Sequence, residues 1–491
     1  MLFNSIPFLL FFIVVFLLYW LVGKNSVKVQ NLTLLLASWF FYGFTNLKML
    51  LLFIALTIAY YYIGLAIEKA YDKSDTKKAE RIGGRWTTLG VLLGVGALLY
   101  FKYFNFFIDS FIQLLNLCGL HAGFHSLNII MPLGISFFTF RLLAYVLDVN
   151  HGKVHAEKDF VKFAVYVSFF PCILSGPIDR PQFIKQLHKR RVFEYEMLSS
   201  AVMQFIWGLF KKVVVADNCA TYVNLVWENM SSVSASTLLL AAFLYAFELY
   251  ADFSGYSDMA IAVGKGLGLK VADNFHTPFY ALNIADFWRR WHMSLTQWMT
   301  DYVFMPLNLT WRKWGKAGMI LAIVINFLIV GLWHGDSWIY AIYGLYHGLL
   351  FVPLILSGAF FKNEQIQTYS RIDIPKIKDF GRMFLTFMLV VLGFIMFRAE
   401  TLGQFAQYLT GLFDSSILSF PLFISGTKRT LFFVVVMMVV EWIFRDNYKQ
   451  TVAYRPLYEL PVVARVCVYY LFIFCILEYA GDAQNFIYFQ F

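Results

Sequence analysis

Apolar runs close to the length of a membrane span recur from one end of this chain to the other. One of them reads Met319-Ile-Leu-Ala-Ile-Val-Ile-Asn-Phe-Leu-Ile-Val-Gly-Leu-Trp333, and a second, 337–360, follows almost at once. A helix of about 20 apolar residues matches the ~30 Å hydrocarbon core of a bilayer. In lipid every backbone N–H and C=O must find its partner inside the protein, so runs of this length dictate helices. Composition agrees: the chain is 60% hydrophobic and 14% charged, where a soluble domain carries about a quarter charged residues. We therefore expect an all-α, polytopic transmembrane protein, with 1–491 forming a single integral-membrane domain. The expected spanning or buried segments lie near 6–23, 31–45, 47–67, 87–108, 128–147, 160–175, 199–216, 235–264, 317–333, 337–360, 380–397, 429–445 and 461–479. The first lacks a basic leader and a small-residue cleavage site and reads as a membrane helix, not a removed signal peptide.

Several of these segments are interrupted. Pro132-Leu-Gly134 and Pro171-Cys-Ile-Leu-Ser-Gly176-Pro177 put non-helical backbone at depth, which is tolerated only inside protein or beside a wet cavity. The expected architecture therefore has short, interrupted and re-entrant helices around a central cavity or tunnel. The basic loop from Glu68 to Arg85 belongs on the cytoplasmic side. A second basic stretch, Arg180 to Arg191, reaches that side if 160–177 enters the membrane and returns without crossing. The loop charge, +10 net for the chain, suits the anionic cytoplasmic leaflet and membrane lipid, not nucleic acid. Ser415 to Arg429 reads as a loop. The five cysteines are scattered without CxxC or Cys/His spacing, so neither a metal centre nor a disulfide framework is expected. The expected location is the cell inner (plasma) membrane, with multiple passes.

Three stretches carry polar groups where they are expensive. In 245–258, Glu248 and Asp252 share a helix face, as do Ser254 and Asp258. Two carboxylates there need partners or must stay protonated, and ion pairing within the bundle is the plain alternative to a functional role. In 286–298, Trp288, Arg289, Arg290 and His292 make a segment too polar to span, suited to an interface or a cavity wall. Here Trp288 and His292 share a helical face, and the arginines are candidate partners for Glu248 or Asp252. An interfacial helix with a solvated histidine is the plain alternative. The third stretch ends at Trp333 and His334, at a turn Gly335-Asp336-Ser337 between two apolar helices. A buried neutral imidazole there can accept a proton from a hydroxyl, and Asn326 is placed to donate a hydrogen bond. A histidine satisfied by a backbone carbonyl is the plain alternative, and for His347 helix packing is.

Trp288-Arg-Arg-Trp-His292-Met-Ser-Leu followed by Gly331-Leu-Trp-His334-Gly resembles the membrane-bound O-acyltransferase family. The resemblance is strongest to the branch of alginate O-acetylation membrane subunits and teichoic-acid D-alanyl transfer proteins. It runs the length of the chain through Met1-Leu-Phe-Asn-Ser5, Phe101-Lys-Tyr-Phe-Asn105, Leu133-Gly-Ile-Ser-Phe-Phe-Thr-Phe140, Gly208-Leu-Phe-Lys-Lys212, Asp252-Phe-Ser-Gly-Tyr-Ser-Asp258, Phe397-Arg-Ala-Glu400 and Phe486-Ile-Tyr-Phe-Gln-Phe491. Two positions depart from the pattern: Glu248 and Arg141 stand where the branch usually has Gln, and their charges can compensate each other or mark a changed substrate pocket.

The resemblance implies acyl transfer to a hydroxyl, with His334 as the essential histidine, His292 as a second catalytic position, and supporting roles for Asn326, Trp288, Arg289, Arg290, Trp333, Asp252, Ser254, Asp258 and His347. It implies no bound cofactor and an acyl thioester, acetyl-CoA foremost, as co-substrate. It implies a polysaccharide hydroxyl or a carrier as acceptor, and a separate extracytoplasmic acyltransferase protein as partner. Lys211, Lys212, Arg289 and Arg290 are candidates to attract the donor's phosphates. D-alanyl transfer to teichoic acid, a transporter or exporter of polysaccharide precursors, and a scaffold without chemistry are the competing readings.

Overall fold

The computed structural model describes residues 1–73, 76–120, 127, 129–362, 375–445 and 461–487. Every regular element among them is helical. Eight helical stretches are long and apolar enough to cross a membrane, including Thr76–Leu117, Tyr195–Glu228, Ala235–Gly266 and Arg312–His334. Other expected spans are shorter: Val27–Gly43 has 17 residues and Ile135–Asn150 has 16. Ser415–Leu418 is a single tight turn, and helix resumes at Thr427. The last four residues of the terminal motif, 488–491, lie outside the described residues. The chain folds as two compact units, one comprising Met1–Tyr195 with Val263–Ala272, the other Glu196–Ala262 with Asp273–Phe491.

The first unit is organised around buried, non-helical backbone. Phe160–Ser168 is a helix of nine residues, too short to cross. The segment that follows, through Ile178, is buried without being helical. Its carbonyls need donors, and Arg141 supplies them. From a position with no exposed surface, its guanidinium donates to Val167 O at 3.3 Å, Cys172 O at 3.2 Å and Pro177 O at 3.0 Å. Asp179 lies 3.8 Å away, so the charge of Arg141 is answered inside its own unit and does not depend on Glu248.

In the second unit two glycine crossings set the helix positions. Gly208 and Gly255 pack backbone to backbone: a Cβ on either would come within 2.7 Å of the other's carbonyl oxygen. This close approach brings the wide helical turn Lys211–Ala216 against Ala235–Gly266. Lys211 Nζ then pairs with Asp258 at 2.6 Å, and Lys212 Nζ with Asp252 at 2.6 Å and Asp217 at 2.9 Å. Gln204 also donates to Asp258, at 3.2 Å, and the backbone N–H of Ile487 donates to Asp252 at 2.8 Å. All five carboxylate and ammonium partners of this cluster are buried. Two expectations are corrected here. The partner of Asp252 is Lys212, one helix away, and not Arg289 or Arg290; Asp258 pairs with Lys211. Lys211 and Lys212 are consumed by these pairs and are not presented to a donor's phosphates.

The second crossing joins Gly315–His334 to Trp338–Leu349. A side chain on Gly331 would strike Tyr340 O, and one on Gly344 would strike Phe327 O. The two helices can therefore close into a tight hairpin, with the turn Gly335-Asp336-Ser337 at its tip.

Candidate functional site

His334 is the last residue of Gly315–His334, at the tip of that hairpin, and only 3% exposed. Three rings enclose its imidazole: Trp333 at 4.9 Å, Phe397 at 5.1 Å and Tyr343 at 6.0 Å between centroids. Trp333 in turn lies 6.0 Å from the ring of His292. The two histidines, 42 positions apart in sequence, thus border one indole.

His292 does not continue a helix from Trp288. The helix Ile284–Trp288 stops, and His292 takes a left-handed conformation, φ 43°, before Met293–Met299 begins. The expected shared face with Trp288 therefore does not exist. A non-glycine residue in this conformation is strained and needs surroundings that enforce it. Asn274 enforces it. Its Oδ1 accepts from His292 Nδ1 at 2.9 Å and from Ser294 Oγ at 2.8 Å, and its backbone carbonyl accepts from Met293 N at 2.8 Å. Its own Nδ2 donates to Ser257 at 2.9 Å. With an acceptor facing Nδ1, the proton of the neutral ring sits there and the lone pair sits on Nε2. Burial pushes the His292 pKa down to about 3, so the ring is neutral at any physiological pH. The Phe253 ring stands across it at 4.7 Å. Asn274 was not singled out from the sequence. It lies 18 residues before His292 in an irregular segment, where neither helical spacing nor charge marks it.

Beside the histidines lies a cavity of about 330 Å³. Its wall combines Trp288, Arg289, Met293, Thr296, Gln297 and Thr300 with Ile323, Asn326, Phe327 and Val330 from one face of the hairpin. Val330 is one helical turn before His334. Trp288 and Asn326 are 3% and 7% exposed, and Trp288 Nε1 and Asn326 Oδ1 have no hydrogen-bond partner. Asn326, expected to serve His334, is a wall residue of this cavity. His347 is fully buried, with neither ring nitrogen hydrogen-bonded. It stands perpendicular to Trp288 at 5.1 Å and packs on Tyr343 at 4.7 Å. No carboxylate is among the lining residues.

The expected site residues therefore separate into groups. His292, Trp333, His334 and His347 form the ring cluster, and Trp288, Arg289 and Asn326 line the cavity. Asp252 and Asp258 belong to the lysine cluster, and Ser254 is buried on the same helix. Arg290 pairs with Asp286 at 2.9 Å. Among the described residues no group of three or more His, Cys, Asp or Glu side chains is arranged to hold a metal ion.

Residues 156–397, which hold the ring cluster, the cavity wall and Asn274, match the model of the membrane-bound O-acyltransferase family. A protein of Pseudomonas syringae pv. tomato named "Probable alginate O-acetylase" is 35% identical over 82% of this chain and 73% of its own length. A protein of the same name from Azotobacter vinelandii is 32% identical over the full length of both chains. The peptidoglycan O-acetyltransferase of Helicobacter pylori is 32% identical over 84% of this chain and 80% of its own.

Proposed function

Because this chain belongs to the membrane-bound O-acyltransferase family and is a multi-pass membrane O-acyltransferase, we propose that it moves an acetyl group from a cytoplasmic thioester, acetyl-CoA, to a hydroxyl of an extracytoplasmic polysaccharide. The observation that carries this reading is the pair of buried histidines on Trp333 beside a cavity with no carboxylate in its wall.

A thioester carbonyl is already activated, so the protein must hold the reactants together and remove the hydroxyl proton. His334 is the base. As the hydroxyl oxygen attacks the carbonyl carbon, its proton passes to the imidazole of His334. The C–S bond then breaks, the ester C–O bond is complete, and the imidazolium returns the proton to the departing thiolate. His292, with its proton held on Nδ1 by Asn274, offers a lone pair at Nε2. It therefore orients the acceptor hydroxyl and does not donate to the developing oxyanion.

Charge at the helix ends orients the site. Arg312, Lys313 and Lys316 lie at the start of the Arg312–His334 stretch and Lys376 and Lys378 at the start of Ile377–Arg398, which supports a cytoplasmic position for those ends. The donor enters the cavity from that side, and His334, at the opposite end of its helix, meets the acceptor. The plasma membrane as location and a separate extracytoplasmic protein that carries the acyl group onward belong to the same reading. D-alanyl transfer fits the cavity less well, because a buried ammonium needs a carboxylate and Arg289 is the cavity's charged residue.

The test is transfer by the purified chain in lipid vesicles from labelled acetyl-CoA to neutral glucan, alginate-like and peptidoglycan acceptors. Acetyl ester formation that His334→Ala abolishes in a folded protein supports the assignment. No ester formation from acetyl-CoA with any of these acceptors, in the chain alone or with the partner protein added, overturns the assignment of donor and acceptor.

A further inference from the structure

The first unit holds a buried cation whose partners are all neutral. Arg191 is 6% exposed. Its guanidinium donates to Tyr19 Oη at 2.7 Å, Asn31 Oδ1 at 2.8 Å and Lys189 O at 3.0 Å. Among the described residues no carboxylate joins them, whereas Arg141 of the same unit has Asp179 at 3.8 Å. A guanidinium carries five N–H groups, and these bonds use three. A buried charge is costly without a counter-charge, so this one calls for an anion.

The surroundings are rigid and basic. Gln30, fully buried, exchanges two hydrogen bonds with the Arg191 backbone, at 3.0 and 3.1 Å, and Asn31 donates to Leu187 O at 2.9 Å. These bonds fasten the start of Val27–Gly43 to the stretch 185–195. Lys24, Lys28, Lys185, Lys189 and Arg190 are exposed along the two stretches, which hold one carboxylate of their own, Glu194. Glu157, which reaches the second stretch, is taken by His188 at 2.7 Å. Apolar residues border the cations: Leu21, Val22, Val192, Phe193 and Tyr195 are between 47% and 74% exposed, and Phe193 packs on Trp20 at 5.5 Å. Exposed apolar and aromatic side chains next to long basic ones mark the boundary between hydrocarbon and headgroups.

We infer that this rim of the first unit is a binding site for the headgroup of an anionic phospholipid of the cytoplasmic leaflet, with the remaining N–H groups of Arg191 on its phosphate, the exposed cations of the two stretches around it, and its acyl chains against Leu21, Val22 and Phe193. The planar guanidinium fork matches a phosphate. Loose surface lysines answer only the mean charge of a leaflet. A guanidinium fixed by Tyr19 and Asn31 adds a contact at a defined place, so one lipid is held and not merely attracted. The site is separate from the acyl-transfer chemistry, and neither reading depends on the other.

The experiment offers the purified chain in detergent phosphatidylglycerol, phosphatidylcholine or inorganic phosphate, and reads bound lipid by native mass spectrometry and the shift of the thermal transition. The wild type is expected to bind phosphatidylglycerol about 30-fold or more tightly than phosphatidylcholine. Lys189→Gln with Arg190→Gln, both exposed, is expected to weaken phosphatidylglycerol binding by about fivefold per cation removed and to leave phosphatidylcholine binding within about twofold. Arg191→Gln is expected to remove most of the remaining preference, and the exposed pair carries the test if that variant does not fold. Equal binding of the two lipids by the wild type overturns the proposal. So does an equal loss in Lys77→Gln with Lys78→Gln, in the other basic loop, which would reduce the effect to surface charge. Protection by inorganic phosphate as full as that by phosphatidylglycerol also overturns it, because the rim would then hold a free anion and not a lipid.

Discussion

The second unit contains two collections of buried polar groups that differ in one respect. In the lysine cluster each cation faces a carboxylate within 3 Å: Lys211 faces Asp258, and Lys212 faces Asp252 and Asp217. Around the cavity, the Trp288 indole, the Asn326 carbonyl and both nitrogens of His347 are buried without hydrogen-bond partners. A matched group reports what folding needs. An unmatched one costs stability unless bound water or a ligand answers it. Both collections read alike in the sequence, as charged or polar residues in apolar runs. Whether each has a partner across the bundle tells them apart.

The sharpest way to break this contrast is His334→Ala. General-base catalysis contributes roughly 10²- to 10⁴-fold, and we expect acetyl incorporation to fall by about 10³-fold with the thermal transition little changed. A folded variant with wild-type rate would remove His334 from the chemistry. The complementary cut falls in the lysine cluster. Lys211→Met leaves Asp258 without its cation and is expected to destabilise the chain by about 3–5 kcal/mol, whereas Lys211→Met with Asp258→Leu recovers much of that loss, because no unpaired charge remains and only the Gln204 amide loses its acceptor. Denaturation in detergent measures both. If the double variant is no more stable than the single one, the pair is not the self-contained structural unit described above.

Third in size is Asn274. Asn274→Ala removes the acceptor that fixes the His292 tautomer and the contacts that hold its left-handed backbone. Loss of a partner that orients a catalytic ring typically costs about 10- to 100-fold, and kcat is expected to drop within that range while the KM for the donor changes little. An effect confined to KM would assign Asn274 to donor binding.

What the sequence made legible follows from what is local. The His334 turn and the break in the helix after Ser168 are set by runs of neighbouring residues, and the structure has both. The histidines His292 and His334 were picked out by motif. The partners were not legible, because they depend on helices crossing far apart in sequence. Glycines at 208 and 255 decide that Asp252 meets Lys212 and not Arg289 or Arg290, and a backbone break at His292 turns an expected helical face into a strained corner. Asn274 escaped notice for the same reason: an asparagine in an irregular segment carries no periodic signal, and only the fold brings it to the imidazole.

A fourth prediction uses pH to test how dry the site is. The His292 ring has its pKa near 3 when folded, against 6.5 when unfolded, and burial is the cause. Between these values the unfolded chain binds a proton that the folded chain does not, so stability rises with pH across that window and is level above it. At pH 5.5 the contribution is a loss of about 1.4 kcal/mol relative to neutral pH. His292→Gln abolishes this part of the slope. A variant with the wild-type slope between pH 5 and 7 would mean that the ring titrates in the folded protein and that the site is wet.

The smallest expected effect compares two adjacent arginines. Arg290 is partly exposed and pairs with Asp286 one helical turn away. The same carboxylate also accepts from Leu282 N at 3.0 Å. Removing Arg290 leaves Asp286, itself only 7% exposed, with the Leu282 N–H as its remaining donor, and losing one such charge-assisted hydrogen bond costs about 1–2 kcal/mol. Arg290→Ala should change stability within that range and leave the donor KM within about twofold. Arg289 lines the cavity, and its guanidinium donates to Phe360 O at 3.3 Å. As the charged residue of the cavity wall it is the candidate to meet a phosphate of the donor. Arg289→Ala is expected to raise the KM for acetyl-CoA by about fivefold, the equivalent of ~1 kcal/mol for one partly solvated phosphate contact. The effect should vanish with S-acetyl-pantetheine, which has no phosphate. Equal effects of the two substitutions on the donor KM would erase the distinction between a cavity residue and an ion pair that does not line the cavity. A loss at Arg289 that persists with S-acetyl-pantetheine would shift that residue from phosphate recognition to shaping the cavity wall.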